Sequence, residues 1–160
     1  MILVTVGMQL GFDRLIRTMD ELAPGLEVDA IAQVGRGEYQ PRNMETRIAI
    51  APSEFEGLVK RCRLIVAHAG IGTVLTAHRF QKPIVLFPRR FENGEHRNNH
   101  QVATVGHLQG RAGILVAMDE EELDDRIAEG LAMCSAQAQV SSTSRLLHQA
   151  IKGFIEEGVI

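Results

Sequence analysis

The sequence has no tryptophan, one tyrosine and six phenylalanines among its 160 residues. Proteins that bind single-stranded nucleic acid stack the bases on aromatic rings, and this chain has few rings to offer. It also lacks an excess of positive charge, since 17 basic and 20 acidic residues leave a formal net charge of −3. The chain as a whole is therefore not predicted to bind nucleic acid or an anionic membrane surface.

Two further absences concern cysteine and long apolar runs. The two cysteines, Cys62 and Cys134, are far apart and form no Cys-x-x-Cys pair, as expected of reduced thiols in a cytosolic protein or of buried packing residues. No apolar run approaches the ~20 residues that cross a bilayer, and the N-terminal segment resembles a strand more than a signal peptide. We therefore expect a cytoplasmic protein that reaches the inner face of a membrane only through a partner.

Short runs rich in isoleucine, valine and leucine alternate with helical patterns along the chain. Runs of this kind that do not alternate with polar residues are typical of parallel strands buried on both faces. The predicted strands are residues 2–6, 30–34, 48–51, 64–67, 84–87 and 114–117. The predicted helices cover residues 12–22, a segment opened by a capping box at 53–56, a segment capped by Asp119, and residues 142–157. This alternation predicts one doubly wound, Rossmann-like α/β domain over residues 1–160, with a surface loop at 35–42.

Ligands of such sheets bind at the carboxyl ends of the strands, where the winding reverses. In the commonest strand order the first and fourth strands are neighbours there, and both end in glycine-containing turns, at Gly7 and at Gly70. The second turn continues through Gly72 and Thr73 into a helix, whose free N–H groups suit a phosphate or diphosphate. His68 could donate a further hydrogen bond. Tight packing explains such a turn equally well, and neither the dinucleotide fingerprint nor a P-loop is present.

Residues 88–101, after the fifth predicted strand, concentrate charged, amide and imidazole side chains. Such groups recognise sugar hydroxyls, although a solvated loop is the simpler interpretation. The candidate sugar-binding residues of this segment are Arg89, Arg90, Glu95, Asn99, His100 and Gln101. His96 and His100 have the spacing of metal ligands on a helix, but no third ligand is nearby, so we predict no metal and no cofactor. The residues alone thus predict an α/β domain that binds a phosphorylated, polar ligand.

Three motifs together resemble the C-terminal domain of family 28 glycosyltransferases, and the resemblance covers nearly the whole chain. They are the His68-Ala69-Gly70-Ile71-Gly72-Thr73 turn with the strand before it, the strand at residues 82–88, and Asn99-His100-Gln101. The chain looks most like stand-alone forms of that domain, found as catalytic subunits in bacterial exopolysaccharide and capsule synthesis and in eukaryotic dolichol-linked N-acetylglucosamine transfer. The resemblance implies the donor-binding half of a GT-B enzyme.

The resemblance also implies roles for particular residues. His68 and the backbone of Gly70, Ile71, Gly72 and Thr73 would hold the diphosphate of a UDP-sugar, with Gly7 and Gln9 lining the same crevice. His100 and Gln101 would contact hydroxyls of the sugar, and Ile50 would lie against the uracil ring. Thr76 stands where many relatives have a ribose-binding glutamate. His68 and the helix N-terminus would stabilise the departing UDP without a metal.

The resemblance further implies a membrane-anchored partner subunit that supplies the other half of the cleft and binds a lipid-linked sugar acceptor. Because guanidinium groups bind carboxylates through paired hydrogen bonds, Arg89, Arg90 and Arg97 predict a uronic acid donor such as UDP-glucuronate. The alternative is that these arginines face the partner or the anionic acceptor. Two other functions remain open, which are half of a sugar-nucleotide epimerase and a non-catalytic nucleotide-sugar sensor or scaffold.

Overall fold

The computed structural model describes residues 1–136 of the chain. Six parallel strands form one sheet in the order β3-β2-β1-β4-β5-β6. The strands are β1 (Ile2–Thr5), β2 (Ala30–Gln33), β3 (Glu45–Arg47), β4 (Leu64–Ala67), β5 (Ile84–Leu86) and β6 (Ile114–Val116). The α-helices are α1 (Asp13–Leu22), α2 (Pro52–Arg61), α3 (Ile71–Arg79), α4 (His100–Leu108) and α5 (Glu120–Ala136). The predicted Rossmann-like fold, with β1 beside β4, is confirmed.

The central strands are mostly apolar because both faces of the sheet are covered there. Successive side chains point to opposite faces, so Leu3 packs in one apolar cluster while Ile2 and Val4 pack in the other. The first cluster includes side chains of α2, α3 and α4, and the second includes side chains of α1 and α5. Cys62 is buried in the first cluster, where burial raises the pKa of its thiol to about 11. Cys62 is thus a buried packing residue, which was one of the two alternatives predicted for the cysteines.

The third strand differs from its prediction. β3 covers Glu45–Arg47 rather than residues 48–51, and Ile48 is 72% exposed. β3 is an edge strand that pairs only with β2, and the side chains of Glu45 and Arg47 form an ion pair on its surface. An edge strand does not need apolar side chains on both faces, and therefore the search for apolar runs missed it.

Two helix starts were predicted from capping patterns, and one of them is wrong. α2 begins at Pro52 with Ala51 as its N-cap, so Ser53 lies inside the first turn and caps nothing. Proline is favoured at the first helical position because its missing N–H has no partner there. The cap at Asp119 is confirmed, since its Oδ1 accepts a hydrogen bond of 3.2 Å from the N–H of Glu122. The predicted helix at 142–157 lies outside the described residues.

Residues 35–42 form the predicted surface loop after β2, and a buried carboxylate of α1 fixes its far end. Asp20 is 2% exposed and accepts hydrogen bonds from the backbone N–H of Arg42 and Asn43 and from the hydroxyl of Tyr39. At the near end, the carboxylate of Asp13 accepts from the N–H of Glu38. Within residues 1–136, none of the helices has the length and apolarity needed to cross a bilayer.

Candidate nucleotide-sugar site

The carboxyl ends of β1 and β4 form a crevice at the centre of the sheet. Thr5 pairs with Ala67, which places Gly7 and His68 side by side just beyond the last paired residues. Gly7 has a φ of +82°, a conformation that side chains rarely tolerate. Its carbonyl accepts a hydrogen bond of 2.8 Å from Nε2 of Gln33, a buried residue at the end of β2. The glycine turn is therefore held from the neighbouring strand.

The imidazole of His68 lies between the two glycine turns. A Cβ on Gly7 would be 2.9 Å from Cε1 of the ring, and a Cβ on Gly70 would overlap its Nε2. The Nδ1 atom of His68 is 3.5 Å from the carbonyl oxygen of Thr5. Both glycines are thus required by the packing of the ring. The packing explanation of these glycines is therefore confirmed, whereas their role towards a ligand stays a prediction.

The environment of His68 favours its neutral form. Burial, together with the positive charge of Arg89, lowers the pKa of the imidazole from 6.5 to about 4. At neutral pH the ring therefore carries one N–H, which can donate a single hydrogen bond, and no charge.

The N-terminus of α3 opens onto this crevice. Gly70 is its N-cap, and the carbonyl of Gly70 accepts from the N–H groups of Thr73 and Val74. The N–H groups of the first two helical residues, Ile71 and Gly72, have no acceptor within the helix. A Cβ on Gly72 would meet no atom within 4 Å, so the space beside this turn is open. Free N–H groups beside open space at a helix N-terminus suit a phosphate group.

Four further residues were predicted to line the nucleotide, and the side chains of two of them, Ile50 and Thr76, are engaged within the protein. Gln9 is exposed in the loop after β1, and Thr73 is half-buried in the first turn of α3. The side chain of Ile50 is 3% exposed and packs in the core, so only its backbone could face a base. The hydroxyl of Thr76 bonds to the carbonyl of Gly72 at 2.9 Å, within its own helix.

The side chain of Gln101 forms hydrogen bonds to two loops, one after β4 and one after β5. Its side chain is 9% exposed, and its Oε1 accepts from the N–H of Ala69 at 3.3 Å and from the N–H of Arg89 at 3.0 Å. The loop after β4 is thereby joined to the loop after β5. The amide oxygen that was predicted to contact sugar hydroxyls is used within the protein.

The prediction that Arg89 binds the sugar is wrong. The residue is 2% exposed, and its guanidinium donates hydrogen bonds to the carbonyls of Val6 (2.9 Å), Leu10 (3.0 Å) and Gly11. The guanidinium also lies 4.5 Å from the ring centre of Phe12. Arg89 therefore fixes the loop between β1 and α1 through hydrogen bonds to its backbone carbonyls.

Glu95 and Arg90 are also engaged within the protein. The carboxylate of Glu95 forms a two-point ion pair with Arg14 of α1, at 2.6 and 2.9 Å, and accepts from the N–H of Arg90. The Nη2 atom of Arg90 donates to the carbonyl of Met118 at 2.6 Å, and its Nε is buried with no hydrogen-bond partner among the described residues. The carboxylate of Glu95 is thus already bonded within the protein, and one nitrogen of the Arg90 guanidinium bonds to a carbonyl. Of the three arginines on which the glucuronate prediction depends, Arg89 is buried on backbone carbonyls, Arg90 is partly engaged and Arg97 is exposed.

The remaining polar residues of the segment are more accessible. Asn99 is exposed but bridges the N–H of Phe91 and the carboxylate of Glu92, while His100 and Arg97 are exposed at the start of α4. His96 precedes α4, which begins at His100, so the two histidines do not share a helix face. The described residues contain no group of three side chains that could hold a metal.

Two residues that hold the crevice were missed in the sequence. Arg14 and Gln33 carry the polar contacts described above, and their partners lie 81 and 26 residues away in the chain. The glutamine in an otherwise apolar strand was the available signal for Gln33, because a buried amide needs a partner. A cavity of about 370 Å³ among the described residues lies elsewhere, between α1 and the loop after β5.

The fold is that of a doubly wound, Rossmann-like α/β domain, and comparison with known proteins specifies the family. Residues 1–156 match the glycosyltransferase family 28 C-terminal domain, and the chain belongs to that family. The family resemblance predicted from the three motifs is thus confirmed. No curated protein sequence matches the chain.

Solved glycosyltransferases share this fold at low sequence identity. The kitacinnamycin glycotransferase superposes with a TM-score of 0.64 at 20% identity, over 95% of this chain and 39% of its own. MurG of Acinetobacter baumannii gives a TM-score of 0.57 at 18% identity, over 94% of this chain and 49% of its own. VinC, solved in complex with dTDP, gives 0.53 at 16% identity, over 94% and 40%. The chain therefore spans less than half the length of these proteins and has the fold of the C-terminal half of GT-B glycosyltransferases.

Proposed function

We propose that the chain is the donor-binding, catalytic subunit of a UDP-sugar-dependent glycosyltransferase. The observation that carries the proposal is the neutral imidazole of His68, wedged between Gly7 and Gly70 and facing the open N-terminus of α3. A diphosphate would accept hydrogen bonds from the N–H groups of Ile71 and Gly72 and from the imidazole N–H. The dipole of α3 and these N–H groups would stabilise the negative charge that develops on the diphosphate as it leaves.

In the proposed transfer, the bond between the anomeric carbon and the diphosphate oxygen breaks, and its electron pair leaves with UDP. An acceptor hydroxyl forms the new bond to that carbon and loses its proton to a base. The described crevice holds the donor side of this reaction. We propose that a second polypeptide supplies the acceptor side and the base.

Three exposed apolar side chains support the presence of a covering polypeptide. Met8 is 66% exposed, Leu10 51% and Ile48 72%. All three follow strand ends at the carboxyl edge of the sheet. The N–H of Gly35 donates to the carbonyl of Ile48, and a Cβ on Gly35 would be 3.1 Å from the carbonyl oxygen of Leu10. Large apolar side chains gathered beside a binding crevice mark an interaction surface. The predicted final helix at residues 142–157 lies outside the described residues.

Ligand binding tests the donor assignment directly. Uridine, UMP, UDP, dTDP and ADP are compared by thermal shift, and a ligand at a hundred times its dissociation constant adds about 2.7 kcal/mol of stability. We expect UDP to stabilise the protein more than UMP, because the second phosphate reaches the N-terminus of α3. The dTDP arm is included because VinC was solved with that nucleotide. No shift with any uridine nucleotide at millimolar concentration would refute the donor site.

Co-expression tests the two-component arrangement. We propose a membrane-anchored partner that presents a lipid-linked acceptor of exopolysaccharide synthesis at the cytoplasmic face. Transfer of labelled sugar to lipid is expected only when both polypeptides are present, and the chain is expected in the membrane fraction only with its partner. Met8→Ser with Ile48→Ser should weaken this association and leave UDP binding intact. Efficient lipid-linked transfer by the purified chain alone would contradict the proposal.

The transferred sugar needs a separate experiment. Arg97 is exposed in the segment before α4, whereas the guanidinium groups of Arg89 and Arg90 bond to carbonyls. A titration series of UDP-glucose, UDP-galactose and UDP-glucuronate decides whether a carboxylated donor is preferred. Loss of a glucuronate preference in Arg97→Ala, with unchanged UDP affinity, would assign the clamp to Arg97. A preference for the neutral sugars in the wild-type protein would exclude a uronic acid donor.

A second candidate function is a nucleotide-sugar sensor or scaffold that performs no transfer. The observation that favours it is Thr76, whose hydroxyl bonds within its own helix and leaves the expected ribose-binding carboxylate unreplaced. Such a protein would bind UDP-sugars and a partner but would show no turnover with any acceptor. A complex that binds UDP-sugar tightly and never releases UDP, by transfer or by hydrolysis, would support this function over the first.

A further inference from the structure

Arg89 is a buried cation without a carboxylate partner. All three of its side-chain hydrogen bonds go to backbone carbonyls, and no carboxylate of residues 1–136 lies within 4 Å of its guanidinium. The nearest acidic influence is Glu95, whose oxygens are already bonded to Arg14. Burial lowers the pKa of Arg89 from 12.5 to about 10, so the group stays charged at neutral pH.

Keeping a charge buried without an opposite charge beside it lowers the free energy of unfolding. Carbonyl oxygens satisfy the N–H groups of the guanidinium but neutralise none of its charge, and removing an ion from water costs several kcal/mol. A carboxylate beside Arg89 would offset that cost, yet the carboxylate of this loop pairs with a half-buried arginine instead. An uncompensated buried charge of this kind raises the electrostatic potential of the space next to it.

The space next to Arg89 is the crevice. Its guanidinium holds the carbonyls of Val6 and Leu10, on either side of the Gly7 turn, and its backbone N–H shares the amide oxygen of Gln101 with Ala69. Its charge also reaches His68, where it contributes to the low pKa of the imidazole. Arg89 is thus connected to both glycine turns without being exposed to a ligand.

We propose that the buried charge of Arg89, acting from behind the Gly7 and Gly70 turns, makes the crevice selective for a diphosphate over a monophosphate. Arg89 is then a positioning and electrostatic residue that never touches the donor. This inference rests on the proposed donor site. A diphosphate carries about one more negative charge than a monophosphate at neutral pH and therefore gains more from a fixed positive charge in a region of low dielectric constant.

The test separates the charge of Arg89 from its hydrogen bonds. Arg89→Lys keeps the charge and Arg89→Gln keeps N–H donors without it, while Arg63→Met, at the opposite edge of the sheet, is the control. Each variant is titrated with inorganic pyrophosphate, UDP, UMP and uridine. We expect Arg89→Gln to lose roughly tenfold or more in affinity for UDP and pyrophosphate, with uridine changed less than about threefold. We expect Arg89→Lys to retain the preference for UDP over UMP.

An NMR titration of His68 in the free protein gives a readout that a merely structural role would not move. The pKa of His68 should rise in Arg89→Gln and stay low in Arg89→Lys. Equal losses for UDP, UMP and uridine in Arg89→Gln, or an unchanged preference for UDP, would overturn the inference. If Arg89→Gln does not fold, Arg89→Lys decides, because loss of the UDP preference despite an intact charge also overturns it. If the wild-type protein binds no uridine nucleotide, the proposed function fails, while the pyrophosphate and His68 titrations still test the charge.

Discussion

The imidazole of His68 lies so close to Gly70 that a Cβ on this glycine would overlap Nε2 of the ring. Two residues further on, a Cβ on Gly72 would meet no atom within 4 Å. The two glycines of one turn therefore differ in what they do. Gly70 makes room for the histidine, whereas Gly72 leaves space open beside the helix N-terminus. This difference can be tested without any knowledge of the sugar or the acceptor.

Substitutions at the two glycines should affect different properties, the stability of the fold at Gly70 and ligand binding at Gly72. Gly70→Ala should lower the free energy of unfolding by about 1–3 kcal/mol, because the ring of His68 must move to admit the methyl group. Gly72→Val should leave the melting temperature within a few degrees of wild type and weaken UDP binding, since its side chain enters the open space. Urea unfolding and UDP titration measure the two effects, with Gly72→Ala as the size-matched control for Gly70→Ala. Wild-type UDP affinity in Gly72→Val would place the ligand elsewhere.

The low pKa of His68 predicts a loss of stability on mild acidification. In the unfolded chain the imidazole takes up its proton near pH 6.5, whereas in the folded protein it does so only near pH 4. Between these values the unfolded state binds more protons, so the stability present above pH 6.5 falls as the pH falls towards 4, by up to roughly 3 kcal/mol. Thermal unfolding from pH 7.5 to 4.5 measures it. In His68→Gln the stability should change less over this range, and parallel curves would contradict the prediction.

Glu95 should matter for stability more than for ligand contact. Its carboxylate is 12% exposed and bonds to Arg14 and to the N–H of Arg90, whereas Glu92 is exposed and bonds to Asn99. Glu95→Gln should cost about 1–3 kcal/mol by weakening charged hydrogen bonds, and Glu92→Gln should stay within about 0.5 kcal/mol of wild type. Denaturant unfolding compares the two. Normal stability with lost sugar affinity in Glu95→Gln would instead restore the sugar-binding role predicted from the sequence.

Asp20 should stabilise the loop after β2 in a pH-dependent way. Burial by itself raises the pKa of this carboxyl, but hydrogen bonds from the backbone of Asn43 and Arg42 outweigh it and hold the pKa below 3.8. The contribution is therefore present above pH 3.8 and is lost as the pH falls further. At pH 7, Asp20→Asn should cost about 2 kcal/mol, with the exposed Asp29→Asn as control. Equal unfolding curves for the two variants would contradict this role.

The elements predicted best are those in which local pattern and tertiary environment agree. Strands buried on both faces have to be apolar, so β1, β4, β5 and β6 were found within one residue at each end. β3 was misplaced because an edge strand carries no such requirement, and its Glu45 and Arg47 form ion pairs at the surface. The capping pattern at Ser53 failed because Pro52 already begins the helix.

The sequence by itself determined the central strands of the sheet, the two glycine turns at their ends and the family, because these depend on apolar patterning and on residues that are close together in the chain. Only the tertiary structure decided what the polar residues between 88 and 101 do. Their chemistry suits a sugar, but Arg89 and Glu95 bond to groups that lie 78 to 83 residues away in the chain, on the loop after β1 and on α1. Whether a charged side chain faces a ligand or a carbonyl depends on which loops pack above it, and the spacing of residues along the chain does not contain that information.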